Sequence, residues 1–235
     1  MTVLHLADEG EAADLAAFLS RLLRYDRGAA VRLQAAGTAL AVFGRPPSFE
    51  VLAIRAVRLA KPYENGLDVS LDVTVSAGEL LEGVDETAVT AVVPAAVTGP
   101  PWAGVLPPRG GWRPEPGLPA PDALRTLVGA AVAEFRRRTE ELAPERRNRA
   151  ELDRIGREIW SRTVGGTGLP VRAVHAAQSL GFLRPAATTA PRQTDPQAAQ
   201  PAGLFSSGAW LRLRTPYGSV AVRRSGLGGL DLSVR

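Results

Sequence analysis

The sequence contains no cysteine, which excludes disulfide bonds, thiolate metal sites and thiol nucleophiles. Histidine is scarce as well, with only His5 and His175. No apolar run reaches the ~20 residues that span a bilayer. The first residues, MTVLHLADEGEAAD, show no basic region ahead of an apolar run. We therefore expect a cytoplasmic protein that makes no membrane contact.

Signatures of catalysis are also missing. The sequence has no Gly-x-Ser-x-Gly elbow and no HExxH motif. The glycines at 165, 166 and 168 precede a predicted helix but lack the lysine of a phosphate-binding loop. We predict no catalytic residue, no metal site and no cofactor.

Two carboxylates stand out because Asp68 and Asp72 share one face of a predicted strand. Four strand residues span about 13 Å, which is too far for an acid and base pair or for one metal ion. A solvated sheet face is therefore the preferred interpretation. An enzyme that uses Asp68, Asp72 or His175 ranks third among the functional hypotheses.

The 235 residues, 45% of them apolar, are enough for a folded core. Charge is divided unevenly between the two halves of the chain. Residues 1–120 carry 10 basic and 14 acidic side chains, whereas residues 121–235 carry 18 basic and 10 acidic ones. This asymmetry indicates that the C-terminal half faces nucleic acid, a phosphorylated ligand or an acidic protein surface. The alternative is that the two halves attract each other.

Hydrophobic periodicity over residues 1–93 predicts the order β-α-β-β-β-β-α-β, an antiparallel sheet with a packed helix. Asp8 is placed to cap the first helix, and Ser76 with Glu79 has capping-box spacing. The strands are expected to form a sequential meander, with Asn65-Gly66 as the last tight turn.

The rest of the chain divides into four predicted segments. Residues 94–121 are rich in proline and contain Trp102 and Trp112, which favours an ordered, packed connection. Residues 122–184 predict a helical hairpin or one long kinked helix, with Pro144 near the first turn of its second part. A short third helix follows between Pro170 and Gly181. Residues 185–203 predict a flexible loop, and residues 204–235 a β-meander with a last strand at 230–234. The fold class is α+β, and the meander either completes the first sheet or stands apart.

Residues 152–183 have helix-turn-helix spacing, and a hairpin rich in arginine follows. This is the order of a winged helix, in which the last helix enters the major groove. About twenty residues separate the two parts, which counts against that interpretation. In it, Arg172, His175, Gln178 and Ser179 are the exposed helix positions, and Arg212 and Arg214 share a strand face with Trp210. The predicted nucleic-acid contacts are Arg172, His175, Gln178, Arg212, Arg214, Arg223 and Arg224.

The runs SRTVGGTGLPVRAVHAAQSLGFL and GAWLRLRTPYGSVAVRR, with the earlier LPPRGGW, resemble a family of actinobacterial conserved hypothetical proteins. The resemblance covers roughly residues 105–225 and implies neither a function nor catalytic residues. Two hypotheses therefore lead. The first is a nonenzymatic protein that binds nucleic acid through its basic C-terminal half. The second is a scaffold or regulatory module that binds protein through the exposed sheet face and the 94–121 loop. A homo-oligomer is a further expected partner state.

Overall fold

The computed structural model describes residues 2–64, 70–100, 102, 104–185 and 202–224. Over this part the protein is α+β, as the sequence predicts. The strands are β1 (Thr2–His5), β2 (Ala30–Ala36), β3 (Ala39–Gly44), β4 (Leu52–Arg58), β5 (Ser70–Ser76), β6 (Val84–Asp85), β7 (Thr90–Val93), β8 (Arg113–Glu115), β9 (Gly203–Ser207), β10 (Trp210–Thr215) and β11 (Gly218–Arg223). The helices are α1 (Glu9–Tyr25), α2 (Ala77–Glu82), α3 (Pro121–Glu140), α4 (Arg149–Trp160) and α5 (Val171–Ser179). Outside the described residues lie the predicted Asn65-Gly66 turn, Asp68, most of the predicted flexible loop and the predicted strand at 230–234.

Within the described residues, a large antiparallel sheet has the strand order β5-β2-β3-β4-β11-β10-β9-β8. β4 and β11 pair with Ile54 opposite Ser219 and Leu52 opposite Ala221. The C-terminal meander therefore completes the first sheet, one of the two arrangements that the sequence allows. β8 contains Pro114 and lies at the edge of the sheet, where a missing backbone N–H is tolerated.

The N-terminal strands depart from the predicted sequential meander in two places. β5 pairs with β2 instead of β4, with Val73 opposite Leu33 and Val75 opposite Val31. The second edge of β4 is occupied by β11, so β5 buries its apolar side beside β2. β7 leaves the large sheet altogether and pairs with β1 and β6 in a small separate sheet.

The predicted helix ends follow from local capping. The carboxylate of Asp8 accepts a hydrogen bond from the Glu11 amide at 2.9 Å, and the Ser76 hydroxyl accepts one from the Glu79 amide at 3.3 Å. Gly181 follows α5 with φ +79°, a conformation that favours glycine. The second helix of the hairpin differs from the prediction. Pro144 lies in a separate 3₁₀ turn, and α4 begins after Asn148, whose side chain caps it.

Helices cover one face of the large sheet, which we term the inner face. α1 packs against β4, α5 packs against β11, and α3 and α4 pack on α5. Phe18 of α1 and Phe182, just after α5, stack with ring centroids 5.7 Å apart. The buried side chains of residues 1–104 and of the C-terminal part thus form one continuous core.

The opposite face of the sheet, the outer face, is crossed by the loop that contains Trp102. This side chain is buried against Phe43, Ile54 and Ala221, and its indole N–H donates to the Thr74 hydroxyl at 3.0 Å. The loop therefore covers the middle of the outer face. Among the described residues, no helix has the length and apolar character to cross a membrane.

Candidate functional site

The winged-helix interpretation requires a helix with a free outward face. α5 provides little of one, because five of its nine residues are buried, three are half-buried and only Gln178 is exposed. The hairpin that follows pairs with β4 and so belongs to the central sheet. The helix-turn-helix geometry in residues 152–183 is therefore a structural element of the inner layer.

Of the four helix positions that were predicted to be exposed, three are only partly exposed: Arg172, His175 and Ser179. The side chain of Arg172 is only 18% exposed. The ring of His175 stacks on Trp160 at 4.6 Å and meets the edge of Phe49 at 5.1 Å. Burial lowers the pKa of His175, so its ring is neutral at physiological pH. Gln178 is exposed, as predicted, and Ser179 is half-buried.

The strongest concentration of arginine and aromatic side chains lies on the outer face of β9, β10 and β11. Strand alternation places Trp210, Arg212 and Arg214 on one side of β10, as the sequence predicts. Their cross-strand neighbours include Arg223 opposite Trp210 and Phe205 opposite Arg212. We term this surface the arginine–aromatic face; it comprises Trp112, Phe205, Trp210, Arg212, Arg214 and Arg223.

Each of its arginines lies over an aromatic ring. The guanidinium carbon is 5.7 Å from the Trp112 centroid for Arg212, 4.5 Å from that of Phe205 for Arg214, and 5.1 Å from that of Trp210 for Arg223. Such contacts orient the guanidinium without neutralising its charge. The face is therefore rigid, positively charged and partly apolar.

Arg212 is the most desolvated cation on this face. Its Nε donates to the Ser219 hydroxyl at 2.9 Å, and among the described residues it forms no ion pair. Burial lowers the pKa of Arg212, and the nearby charge of Arg214 lowers it further. Arginine nevertheless stays protonated in proteins. Its charge is thus held where water screens it poorly, which strengthens its attraction for an anion.

A groove of about 580 Å³ adjoins Arg212 beneath the loop. Its polar lining includes Arg32, Gln34, Asp72 and Arg109. Arg32 contacts both oxygens of Asp72, at 2.7 and 2.8 Å, and holds the pKa of that carboxyl below its usual range. Asp72 is thus an ionised partner of arginine and is poorly suited to act as a general base.

Arg224, one of the predicted nucleic-acid contacts, lies on the inner side of the sheet and does not belong to the arginine–aromatic face. Its side chain forms an ion pair with Glu115 at 2.7 Å. Hydrogen bonds from Ser206 and Arg224 lower the pKa of Glu115. Arg223 and Arg224 are consecutive, and consecutive strand residues point to opposite faces. This alternation could have shown from the sequence alone that Arg223 and Arg224 lie on opposite faces of the sheet.

Sequence reasoning also missed two members of the face, Trp112 and Phe205. Phe205 alternates with Leu204, which is buried on the inner face, so the pattern was present but short. Trp112 is brought beside Arg212 by the pairing of β8 with β9, which has no local sequence signal. Among the described residues, no group of three or more histidine, aspartate or glutamate side chains is arranged to hold a metal ion.

The chain matches two known families, and the boundary between the two matches lies in the loop that crosses the outer face. Residues 107–227, more than half of the chain, match a family described as a domain of unknown function (DUF8185). The chain belongs to this family. Residues 1–104 match a second domain of unknown function (DUF8010). No curated protein and no solved structure matches the chain. The predicted membership of an uncharacterised family is thus confirmed.

The boundary between the two family matches is not a boundary of the fold. β4 belongs to the match over residues 1–104 and β11 to the match over residues 107–227, yet they are neighbours in one sheet. Arg55 of β4 also donates to the Tyr217 carbonyl at 2.8 Å. The arginine–aromatic face itself lies wholly within the match over residues 107–227.

Proposed function

We propose that the protein is a nonenzymatic binding protein that holds single-stranded nucleic acid on the arginine–aromatic face. The observation that supports the proposal is the interleaving of Arg212, Arg214 and Arg223 with three aromatic rings on one sheet surface. Proteins that bind single strands combine cations for the phosphates with flat groups on which bases stack.

The chemistry of the face suits both parts of such a ligand. Arginine offers a planar fork of donors for phosphate oxygens, and its guanidinium plane also stacks on bases. Trp112 and Phe205 are half-buried, so part of each ring faces solvent. Arg212 and Arg223 form no ion pair with described residues, so phosphate does not compete with a carboxylate at these two positions.

A single strand suits this surface better than a duplex. Reading of the major groove usually uses a protruding helix or a two-stranded ribbon. Most of α5 is covered, with Gln178 its one exposed residue, and the β10–β11 hairpin is flanked by β4 and β9. The proposal therefore keeps Arg212, Arg214 and Arg223 as contacts and omits Arg172, His175, Gln178 and Arg224.

The protein-interaction hypothesis receives less support. It depended on an exposed sheet face together with the 94–121 loop. The loop instead packs on that face through Trp102, which is 7% exposed. The central apolar surface that a protein partner would cover is thus already covered by Trp102.

The test is binding of a fluorescently labelled single-stranded DNA of about twelve nucleotides, measured by anisotropy over a series of salt concentrations. We expect Arg212→Gln with Arg214→Gln to weaken binding at least ten-fold. Each lost phosphate contact should also reduce the log-log salt slope by about 0.7. Trp112→Leu should weaken binding while leaving the slope unchanged, because stacking releases no counterions.

The matched control is Arg136→Gln with Arg157→Gln, which removes the same charge from exposed positions on α3 and α4. This control should retain the affinity of the unmodified protein to within about two-fold. The proposal fails if the salt slope of the unmodified protein is near zero. It fails equally if the control and the face variant lose affinity to the same extent, since binding would then follow net charge alone.

A further inference from the structure

A second cavity, of about 680 Å³, lies where the two family regions meet. It opens between the 3₁₀ turn at Pro47–Phe49, the start of α5 and the end of β11. Residues that line it include Arg45, Glu50, Gly99, Arg172, Trp210 and Arg223. Its volume is within the range of about 300–1,000 Å³ that is typical of small-molecule sites.

Arg172 is the unusual residue of this cleft. Its Nε is buried without a hydrogen-bond partner, and none of its N–H groups donates to a described residue. The nearest carboxylate oxygen, on Glu50, is 3.7 Å from the Nε, which is too long for a hydrogen bond. Glu50 is also 80% exposed in its side chain, so it is a weak counter-ion that a stronger anion can replace.

Two other arginines with a buried, unbonded Nε provide a comparison. Arg55 and Arg224 each place a terminal nitrogen within 2.9 Å of a carboxylate oxygen. Among these three, only Arg172 combines a buried, unbonded Nε with terminal nitrogens that donate to no described residue. Buried donors in folded proteins are nearly always satisfied by protein, water or ligand. The buried Nε–H of Arg172, together with terminal N–H groups that remain free to donate, therefore indicates an acceptor-rich ligand in the cleft.

The charges around the cleft specify what kind of acceptor fits. Three arginines, at positions 45, 172 and 223, line it together with the carboxylates of Asp26 and Glu50. Asp26 already accepts a hydrogen bond from the Gly28 amide at 2.9 Å. A phosphomonoester carries about −1.5 to −2 charge at neutral pH and offers three strong acceptor oxygens. Trp210 supplies a flat apolar wall for the organic part of the ligand.

We propose that this cleft binds a phosphomonoester group through Arg172, assisted by Arg45. The group belongs either to a free phosphorylated metabolite or to the 5′ end of a nucleic acid strand. The first source is independent of the proposed function. The second rests on it, because Trp210 and Arg223 line the cleft and also belong to the arginine–aromatic face.

The experiment uses the full chain and four probes. Binding of ribose 5-phosphate and of ribose, measured by isothermal titration calorimetry, tests whether the cleft takes a free phosphorylated metabolite. Binding of single-stranded DNA with and without a 5′ phosphate, measured by fluorescence anisotropy, tests whether the cleft takes the 5′ end of a strand. Each probe is measured with the unmodified protein, Arg172→Gln, Arg45→Gln and the exposed control Arg157→Gln. The Arg45→Gln variant keeps the test valid if Arg172→Gln does not fold, because Arg45 is exposed.

The proposal predicts one of two results. Either ribose 5-phosphate binds and ribose does not, or the 5′ phosphate tightens DNA binding at least ten-fold. In either case Arg172→Gln and Arg45→Gln should remove most of the gain, as expected when charge-assisted hydrogen bonds are lost, and Arg157→Gln should not.

The proposal is overturned if neither phosphate has an effect or if both cleft variants retain the full effect. In that outcome, DNA that binds equally well without a 5′ phosphate would still support the arginine–aromatic face. Conversely, ribose 5-phosphate that binds in a protein without affinity for DNA would support the cleft and contradict the proposed function.

Discussion

Two arginines on opposite faces of the same sheet are both largely removed from water, but their surroundings differ. On the inner face, Arg55 donates to Glu11 at 2.9 Å and to Asp14 at 3.3 Å, and its side chain is 6% exposed. On the outer face, Arg212 has a hydroxyl and an aromatic ring for neighbours and, among the described residues, no ion pair. The comparison separates a cation that is committed to the fold from one that is available to a ligand.

The difference arises from which elements cover each face. α1 supplies Glu11 and Asp14 to the inner face, and Asp14 also pairs with Arg184 at 2.5 Å. The loop that crosses the outer face supplies apolar side chains such as Trp102 and Leu106. Buried cations need a counter-charge to be stable in the fold. Arg212 lacks one within the described part of the chain, so removal of each arginine should have opposite consequences for stability and for binding.

The largest effect is expected from Arg55→Met. The change leaves two carboxylates of α1 with fewer partners in a buried site, and loss of one member of a buried ion pair typically costs about 3–5 kcal/mol. We expect the free energy of unfolding, measured by urea denaturation, to fall by about 3 kcal/mol. The value is near the lower end because Glu11 retains Arg58 and Asp14 retains Arg184.

A double variant checks the cause of this loss. Glu11→Gln added to Arg55→Met removes the charge of one carboxylate that has lost a partner, so the double variant should be more stable than the sum of the two single changes predicts. If the two changes add without coupling, the loss comes from packing alone. The inner arginine would then not differ in kind from the outer one.

An intermediate effect, of the opposite sign, is expected from Arg212→Met. Methionine keeps the apolar stem but removes a poorly solvated charge, so the free energy of unfolding should stay the same or rise by about 1 kcal/mol. The same variant should lose affinity for single-stranded DNA. A loss of stability comparable to that of Arg55→Met would show that Arg212 is structural and would remove the basis of the comparison.

Local chemistry in the sequence was sufficient to predict a large part of this architecture. The caps at Asp8 and Ser76 depend on side chains three residues from the amides that they bind, and the glycine end of α5 depends on one backbone conformation. Period-two alternation likewise placed Trp210, Arg212 and Arg214 on one face. These features need no knowledge of the rest of the fold.

The features that escaped prediction depend on contacts between distant parts of the chain. Alternation fixes which residues share a face but not which strand lies alongside, so the pairing of β5 with β2 was missed. The same limit concealed Trp112 as a neighbour of Arg212. A helical period likewise does not reveal that the rings of Trp160 and Phe49 pack against His175, so the extent of its burial was missed.

The smallest effect is expected from a third setting, in which arginine and carboxylate pair at the surface, partly in contact with water. Glu158 of α4 contacts Arg138 of α3 at 2.7 Å, and this hydrogen bond, with a weaker one from Arg162, lowers the pKa of Glu158 from 4.5 to about 2. A lowered pKa stabilises the folded protein above the ordinary pKa, and the benefit disappears as pH falls through the folded value.

Glu158→Gln should therefore lower Tm by no more than about 2 °C at pH 7, because exposed ion pairs contribute little. The difference from the unmodified protein should shrink between pH 4.5 and about pH 2 and should also shrink in 1 M salt. Glu140→Gln, an exposed residue of α3, is the matched control and should show neither dependence. If Glu158→Gln destabilised the protein as much as Arg55→Met does, exposure to solvent would not explain why the ion pairs of Arg55 contribute more to stability than those of Arg138. The presence or absence of a counter-charge would then be the only variable that distinguishes Arg212.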